Sequence, residues 1–267
     1  MILAIDIGNT HTIIGCINDK NEVVQAASIS TDRTGTSYEY AMKIKSAMEL
    51  AGMDPHGFEG AIISSVVPQV NAAFSEAVNI ITGTMPVIVG AGVKTGLNIR
   101  LDDPGTIAGD MVATAVAAKE EYPLPAIIID MGTATTITVV DKKGDYLGGC
   151  IMPGAGISLE ALTKETSLLP SINYSAPQKV ISTNTIDAMR SGIIYGSAGA
   201  LDGVLDRYIE ELGGSVGSIL ATGGMGRLLA PYCRHEIVID NRLLLKGLGH
   251  IYRNNEAAKS RKRTAKC

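Results

Sequence analysis

The chain has 267 residues, enough for one domain of ordinary size or two small ones sharing an interface. Hydrophobic residues make up 46% and charged residues 19%, so a large core is available and the composition is not that of a disordered chain. A formal net charge of -4 gives no general attraction for phosphate backbones, which argues against nucleic-acid binding as the main task.

The opening, MILAIDIGNT, has no basic leader and reaches Asp6 after four apolar residues, so it reads as a strand and not a signal peptide. Asp6-Ile7-Gly8-Asn9-Thr10 then enters a tight turn into a second strand, HTIIGCI, and a polar turn leads to a third, VVQAASIS. Tyr40, Ile44, Ala47, Met48 and Ala51 share one helical face. GAIISSVVP is a buried strand ended by Pro68, Val70 to Ile81 carries another helical stripe, and MPVIVGAG reads as a strand. Asp110 follows Gly109 and opens a helical run to Ala118, where an Asp is a good N-cap and a helix N-terminus favours its charged form. Beyond AIIIDMGTATTITVVD and DYLGGCIMP, helices are expected over 156–168 and 185–213. GSILATGG and EIVID are strands, and 242–253 is a closing helix. The basic end, AAKSRKRTAKC, has no apolar stripe and is expected to be a disordered, solvated tail over 256–267. No run of 18 apolar residues exists, so no membrane span and a cytoplasmic location are expected. The four cysteines (16, 150, 233, 267) and four histidines (11, 56, 235, 250) lack metal or redox spacing and read as reduced thiols and scattered imidazoles.

A weak internal repeat organises these elements. An apolar strand, Asp-x-Gly with Thr close behind, and two further strands occur first at Asp6 and again at Asp130, nearly half the chain later. Two copies of one βββ unit, each followed by helices and strands, indicate an α/β chain of two similar halves, residues 1–120 and 121–255. Each half would be a mixed sheet flanked by helices, with a cleft between the halves.

In the first turn, Gly8 allows a bare backbone approach, and Asn9, Thr10 and Thr12 offer side-chain donors beside backbone N–H groups that can cradle an anion. Asp6 would face phosphate only with a cation such as Mg²⁺ between them. Taken alone, the stretch reads first as an ordinary hairpin turn, since Asp, Gly and Asn favour turns. The second copy, Asp130-Met131-Gly132-Thr133-Ala134-Thr135-Thr136, strengthens the phosphate reading, because two such turns would clamp a triphosphate.

These paired turns resemble the phosphate motifs of the acetate and sugar kinase, heat-shock chaperone and actin superfamily. Within it, the chain resembles the type III pantothenate kinases through DIGNTHTIIG, ISTDR, IISSVVP, KTGLNI, IDMGTATT, YLGGCIMPG, NTIDAMRSGIIYG and ATGG, in the same order over about residues 1–252. The resemblance implies a duplicated ribonuclease H-like, actin-like ATPase fold. It implies a kinase that phosphorylates pantothenate with ATP and Mg²⁺ and needs K⁺ or NH₄⁺. ATP phosphates would be held by Asp6, Ile7, Gly8, Asn9, Thr10, His11, Thr12 and Ile13, with Asp6 near the nucleotide-bound Mg²⁺. Thr133 would also contact ATP, Gly223 and Gly224 would lie near its adenosine end, and Asp130 would bind the monovalent cation. Asp110 would be the general base, and Thr185 would reach the pantothenate of the neighbouring subunit in a homodimer.

The chain departs from the family in one place. The family's acceptor loop reads Gly-Ala-Asp-Arg, whereas Ala108-Gly109-Asp110-Met111 stands here, and Leu101 replaces a Tyr near the start of the loop. The missing Arg would pair with the acceptor's carboxylate; Lys94 and Arg100 are the nearby candidates to replace it. Three functions therefore stay open at this stage: a pantothenate kinase, a kinase of the same fold acting on another small alcohol, and a non-catalytic nucleotide-binding regulator.

Overall fold

The computed structural model describes residues 1–54 and 57–264, with side chains to residue 258. It divides into two compact units: Met1–Glu121 with the segment from Arg242 onward, and Tyr122–Asn241.

In the first unit, three antiparallel strands, β1 (Ile2–Ile7), β2 (His11–Ile17) and β3 (Val23–Ser30), are followed by α1 (Ser37–Leu50) and β4 (Gly60–Ser65). Then come α2 (Asn71–Thr82), the two-residue strands β5 (Val87–Ile88) and β6 (Asn98–Ile99), and α3 (Gly109–Glu121). The five-stranded sheet runs β3-β2-β1-β4-β5, with β1 parallel to β4 and β4 parallel to β5. The strands alternate, so each face of the sheet buries its own set of side chains. On one face Leu3, Ile5, Ile7 and Ile63 pack with Tyr40 and Ile44 of α1 and Phe74 and Val78 of α2. Tyr40 and Phe74 stack with centroids 4.1 Å apart. On the other face Ile2, Ala4 and Ile62 pack with Val112 and Val116 of α3 and Leu244, Leu248 and Ile251 of the closing helix. Helix α1 starts at a reciprocal capping box: the Thr36 hydroxyl accepts from Glu39 N–H, and the Glu39 carboxylate accepts from Thr36 N–H at 2.7 Å.

The second unit repeats this plan. Strands β7 (Ala126–Met131), β8 (Ala134–Val140) and β9 (Asp145–Pro153) form the antiparallel trio, followed by α4 (Ala155–Glu165) and the long α5 (Thr185–Glu211). Strand β10 (Ser218–Thr222), the short α6 (Gly226–Leu229) and β11 (Val238–Ile239) complete it. The order β11-β10-β7-β8-β9, with β7 parallel to β10, matches the first sheet strand for strand. Ile127, Ile129 and Ile137 face Leu159 of α4 and Ile193, Leu201 and Leu205 of α5. The duplication expected from the repeat is thus a property of the fold.

Four expectations need correction. The final helix, α7 (Leu243–Thr264), belongs with the first unit and not with the half it follows in sequence. Its stripe of Leu244, Leu245, Leu248 and Ile251 finds its apolar partner on the β1–β4 sheet. The helix also runs through most of the segment expected to be a disordered tail; residues 265–267 lie outside the described residues. MPVIVGAG pairs only at Val87 and Ile88, as an edge beside β4, and EIVID pairs only at Val238 and Ile239. Finally, Asp110 lies inside the first turn of α3 and does not precede it. Cys16 is buried, Cys150 and Cys233 are half-buried, and all three are free thiols. Burial pushes the Cys16 and Cys233 thiols up to about 11, which keeps them protonated and unreactive. Cys267 and His56 lie outside the described residues.

Helices α3 and α7 approach so closely that a Cβ on Gly247 would run into the Ala113 carbonyl. Gly247→Ala is expected to destabilise the protein by about 1–3 kcal/mol, as overpacking of a filled interface does, measured as a shift in the denaturant midpoint.

Candidate active site

Asp6 ends β1 at its carboxyl end, beside Ile13 of β2 and Ser64 of β4, and is buried. Carboxyl ends of parallel strands are where α/β sheets place ligands. Gly8 N–H donates to the His11 carbonyl at 3.0 Å and closes the turn. A Cβ on Gly8 would stand 2.9 Å from that oxygen, so only glycine fits without displacement. Thr31 straps the turn from β3: its hydroxyl donates to the Gly8 carbonyl at 2.8 Å and its N–H to the Thr10 carbonyl at 2.9 Å. The Thr12 and Thr31 hydroxyls pair at 3.0 Å. Arg33 donates to the Asn9 side-chain oxygen at 3.0 Å, which puts a guanidinium on the rim of the turn. Ile7 and Thr12 are buried and Ile13 half-buried, whereas Asn9, Thr10 and His11 are exposed. What residues 7–13 offer a ligand is therefore their backbone and those three side chains.

The second turn has the same frame. Asp130 ends β7's parallel pairing, opposite Thr222 of β10 and Thr136 of β8. Gly132 N–H donates to the Ala134 carbonyl at 3.0 Å, and Thr133 is exposed at the tip. Here α4 begins against the turn: its N-cap Gly154 donates N–H to the Thr133 carbonyl at 3.2 Å. A Cβ on Gly154 would lie 2.6 Å from the Gly132 carbonyl, so glycine lets the helix N-terminus come this near. A helix N-terminus beside a turn suits phosphate oxygens. Thr133, Gly156, Glu160 and Tyr174 line a cavity of about 430 Å³ next to it. From β10, Gly223 adopts φ +89°, and Met225 N–H donates to the Met131 carbonyl at 3.2 Å. The second turn, the start of α4 and the Gly223-Gly224 loop thus converge on Asp130.

The loop expected to meet the acceptor lies in the segment 94–111. Asn255 of α7 holds Lys94 at both ends of its peptide, accepting from its N–H at 3.0 Å and donating to its carbonyl at 3.1 Å. Asp103 caps a 3₁₀ turn, Pro104–Thr106, by accepting from Gly105 N–H at 3.0 Å. Leu101, Ala108, Gly109 and Met111 are half-buried, and the Ala108 carbonyl accepts from Val112 N–H at 3.1 Å as α3 begins. The Asp110 carboxylate accepts from Met111 N–H at 2.7 Å. Burial nonetheless raises its pKa above the ordinary 3.8, outweighing the hydrogen bonds from Met111 and Asp110 N–H. This reverses the expectation that the helix terminus would depress it: burial makes the carboxylate a stronger base than a solvated Asp. Thr185 is exposed at the first residue of α5, just after its cap Asn184.

Within the first unit, the structure brings together groups far apart in sequence. Asp6 and Ser64 stand side by side on the face covered by α3. The Ser64 hydroxyl lies 3.3 Å from where a Cβ on Gly109 would be. Ser64, Thr31 and Arg33 did not emerge as site residues from the sequence. The signal for Ser64 was a serine pair ending the apolar run GAII; for Thr31 and Arg33 it was a polar cluster directly after β3.

A family model for the type III pantothenate kinases matches residues 2–207. A type III pantothenate kinase of Halalkalibacterium halodurans is 42% identical over 255 residues, covering 96% of this chain and all of the relative. One from Exiguobacterium sp. is 41% identical over 256 residues with the same coverage. Among solved structures, component A of the (R)-2-hydroxyglutaryl-CoA dehydratase of Acidaminococcus fermentans superposes with a TM-score of 0.57 at 17% identity. That alignment covers 96% of this chain and 98% of the other, a likeness of fold.

Proposed function

The chain belongs to the type III pantothenate kinase family, and we propose that it transfers the γ-phosphoryl group of ATP to the terminal hydroxyl of pantothenate, giving 4'-phosphopantothenate on the way to coenzyme A. The observation that carries this reading is end-to-end likeness to curated relatives, with no large part of either chain left over.

In this reading the backbone and polar side chains of Asp6–Ile13 hold ATP phosphates, Thr133 adds a contact, and Gly223 and Gly224 lie near the adenosine end. Among the described residues no cluster of three or more His, Cys, Asp or Glu could hold a metal by itself. That suits Mg²⁺ carried on the nucleotide, which typically needs only one or two protein carboxylates. The buried carboxylate of Asp6, at the mouth of a glycine turn, fits that part. When bound, Mg²⁺ would neutralise charge on the phosphate oxygens during transfer. Asp130 fits a monovalent cation, K⁺ or NH₄⁺, which we assign to it by family likeness. Asp110 accepts the proton of the attacking hydroxyl, a step its burial favours by raising its basicity. The protein acts as a homodimer, in which Thr185 of one subunit reaches the acceptor bound to the other.

A second reading rests on Met111. A thioether cannot pair with the carboxylate of pantothenate, and truncating one partner of a buried charge pair costs about 2–5 kcal/mol. The chain would then favour a less charged alcohol. Release of ADP with pantothenate, with and without K⁺, tests the first reading; no turnover at millimolar pantothenate would remove it. Faster turnover of the uncharged analogue pantetheine favours the second, and ATP binding without transfer to either acceptor favours a regulator. Met111→Arg is expected to lower the KM for pantothenate about tenfold or more, read from initial rates; an unchanged or higher KM would contradict the assignment of this position to the acceptor's carboxylate.

A further inference from the structure

Ser64 is 0% exposed and its hydroxyl has no hydrogen-bond partner, whereas buried hydroxyls are as a rule paired. An orphaned buried hydroxyl costs free energy, and it is retained here in a strand whose preceding residues are all apolar. Its position is specific. In the parallel pairing of β1 and β4 it stands opposite Asp6. It shares its face of β4 with Ile62, which packs against α3, and so looks towards the start of that helix. Gly109 is the residue it meets, and the absence of a side chain there leaves the hydroxyl facing the first turn of α3 directly. The next residue is Asp110, whose carboxylate takes a hydrogen bond from Met111 N–H on one oxygen.

We infer that Ser64 is a positioning residue for the phosphoryl-transfer step: its hydroxyl donates to the Asp110 carboxylate once the acceptor is in place, fixing the base in line with the acceptor's hydroxyl. This rests on the kinase reading and on the role of Asp110 in it. The orphaned donor is then the resting form of a bond completed in the loaded site. Asp110 follows Gly109 directly, and Ser64 is a buried side-chain donor lying against the helical turn that carries it. No covalent step passes through Ser64; the proton leaving the acceptor goes to Asp110.

The test is Ser64→Ala, alone and combined with Asp110→Asn, in steady-state assays with ATP and pantothenate beside thermal melts. Removing an unpartnered hydroxyl should leave the melting temperature unchanged or raise it, so a slow enzyme cannot be put down to poor folding. The expected result is a kcat lower by about tenfold, the worth of a hydrogen bond to a charged group, with the KM for ATP unchanged. In the Asp110→Asn background the same change should have no further effect, because the two residues act as a unit. Unchanged kcat in the single variant overturns the inference. So does a loss that multiplies with that of Asp110→Asn, or a raised KM for ATP at constant kcat, which would assign the hydroxyl to Asp6. Absence of wild-type turnover with pantothenate would overturn the kinase reading as well, whereas normal wild-type turnover with an unaffected variant overturns this inference alone.

Discussion

Asp110→Asn is expected to lower kcat by about 10²–10⁴-fold, the span associated with losing a general base, while the protein stays at least as stable at neutral pH. The two halves of this expectation have one cause. Burial at the start of α3 raises the Asp110 pKa above its ordinary 3.8, so the folded protein holds that proton more tightly than the unfolded chain does. Above the raised pKa the native state carries a buried negative charge that the unfolded chain solvates, and the site costs stability there. As pH falls through the raised value towards 3.8, the folded state takes up its proton first and this cost disappears. Amide in place of carboxylate removes the cost at every pH and removes the base with it. Activity has the opposite dependence: it needs the ionised form and falls as pH drops through the raised pKa. Initial rates against pH, with denaturant melts at pH 7 and near pH 4, check both halves. A near-normal rate for Asp110→Asn would mean that the carboxylate serves only the first turn of its helix.

Much of the architecture was legible because it is written in local patterns. Asp-x-Gly between two apolar β runs marks a strand, a turn and a strand wherever it occurs, so two occurrences disclose a duplicated unit before any coordinates. The stripe from Tyr40 to Ala51 likewise specifies α1 and its buried face, although its capping box, Thr36 with Glu39, lies just ahead of the stripe. What was not legible depends on partners distant in sequence. The leucine stripe of α7 announces an apolar face but not which sheet will cover it, and it returns to the first unit. Val87–Ile88 and Val238–Ile239 sit in segments with strand composition, yet as edges each pairs for only two residues. For Asp110, the helix terminus and burial act on the pKa with opposite signs. Only the folded chain shows that burial prevails. Ser64 and Thr31 are ordinary serine and threonine by sequence; register and strand crossing give them their positions.

Gly223→Ala is expected to weaken ATP binding about tenfold or more, whereas Gly224→Ala leaves the fold undisturbed. The contrast comes from two adjacent glycines with different backbone demands. Gly223 has φ +89°, a conformation that L side chains adopt at a cost of about 1–3 kcal/mol. A Cβ there would also stand 2.6 Å from the Met131 carbonyl carbon and oxygen and 2.7 Å from an Asp130 carboxylate oxygen. Two of these contacts are with backbone of β7, which cannot give way without moving the strand that carries Asp130. The third is with the carboxylate itself. Strain and displacement therefore fall together on the centre of the second turn, and a shift of a few tenths of an ångström there moves the Met131 carbonyl that accepts from Met225 N–H. Gly224 has no heavy atom within 4 Å of a Cβ position and is not held at positive φ. Its alanine variant adds a methyl group to open space, so its melting temperature should match the wild type. Calorimetric titration of both variants with a non-hydrolysable ATP analogue, beside thermal melts without nucleotide, separates strain from direct contact. Loss of affinity in Gly223→Ala together with a lowered melting temperature marks distortion of the turn. Loss in Gly224→Ala at an unchanged melting temperature marks a methyl group standing where the nucleotide approaches the backbone. Equal affinities in both variants and the wild type would remove this loop from the nucleotide site.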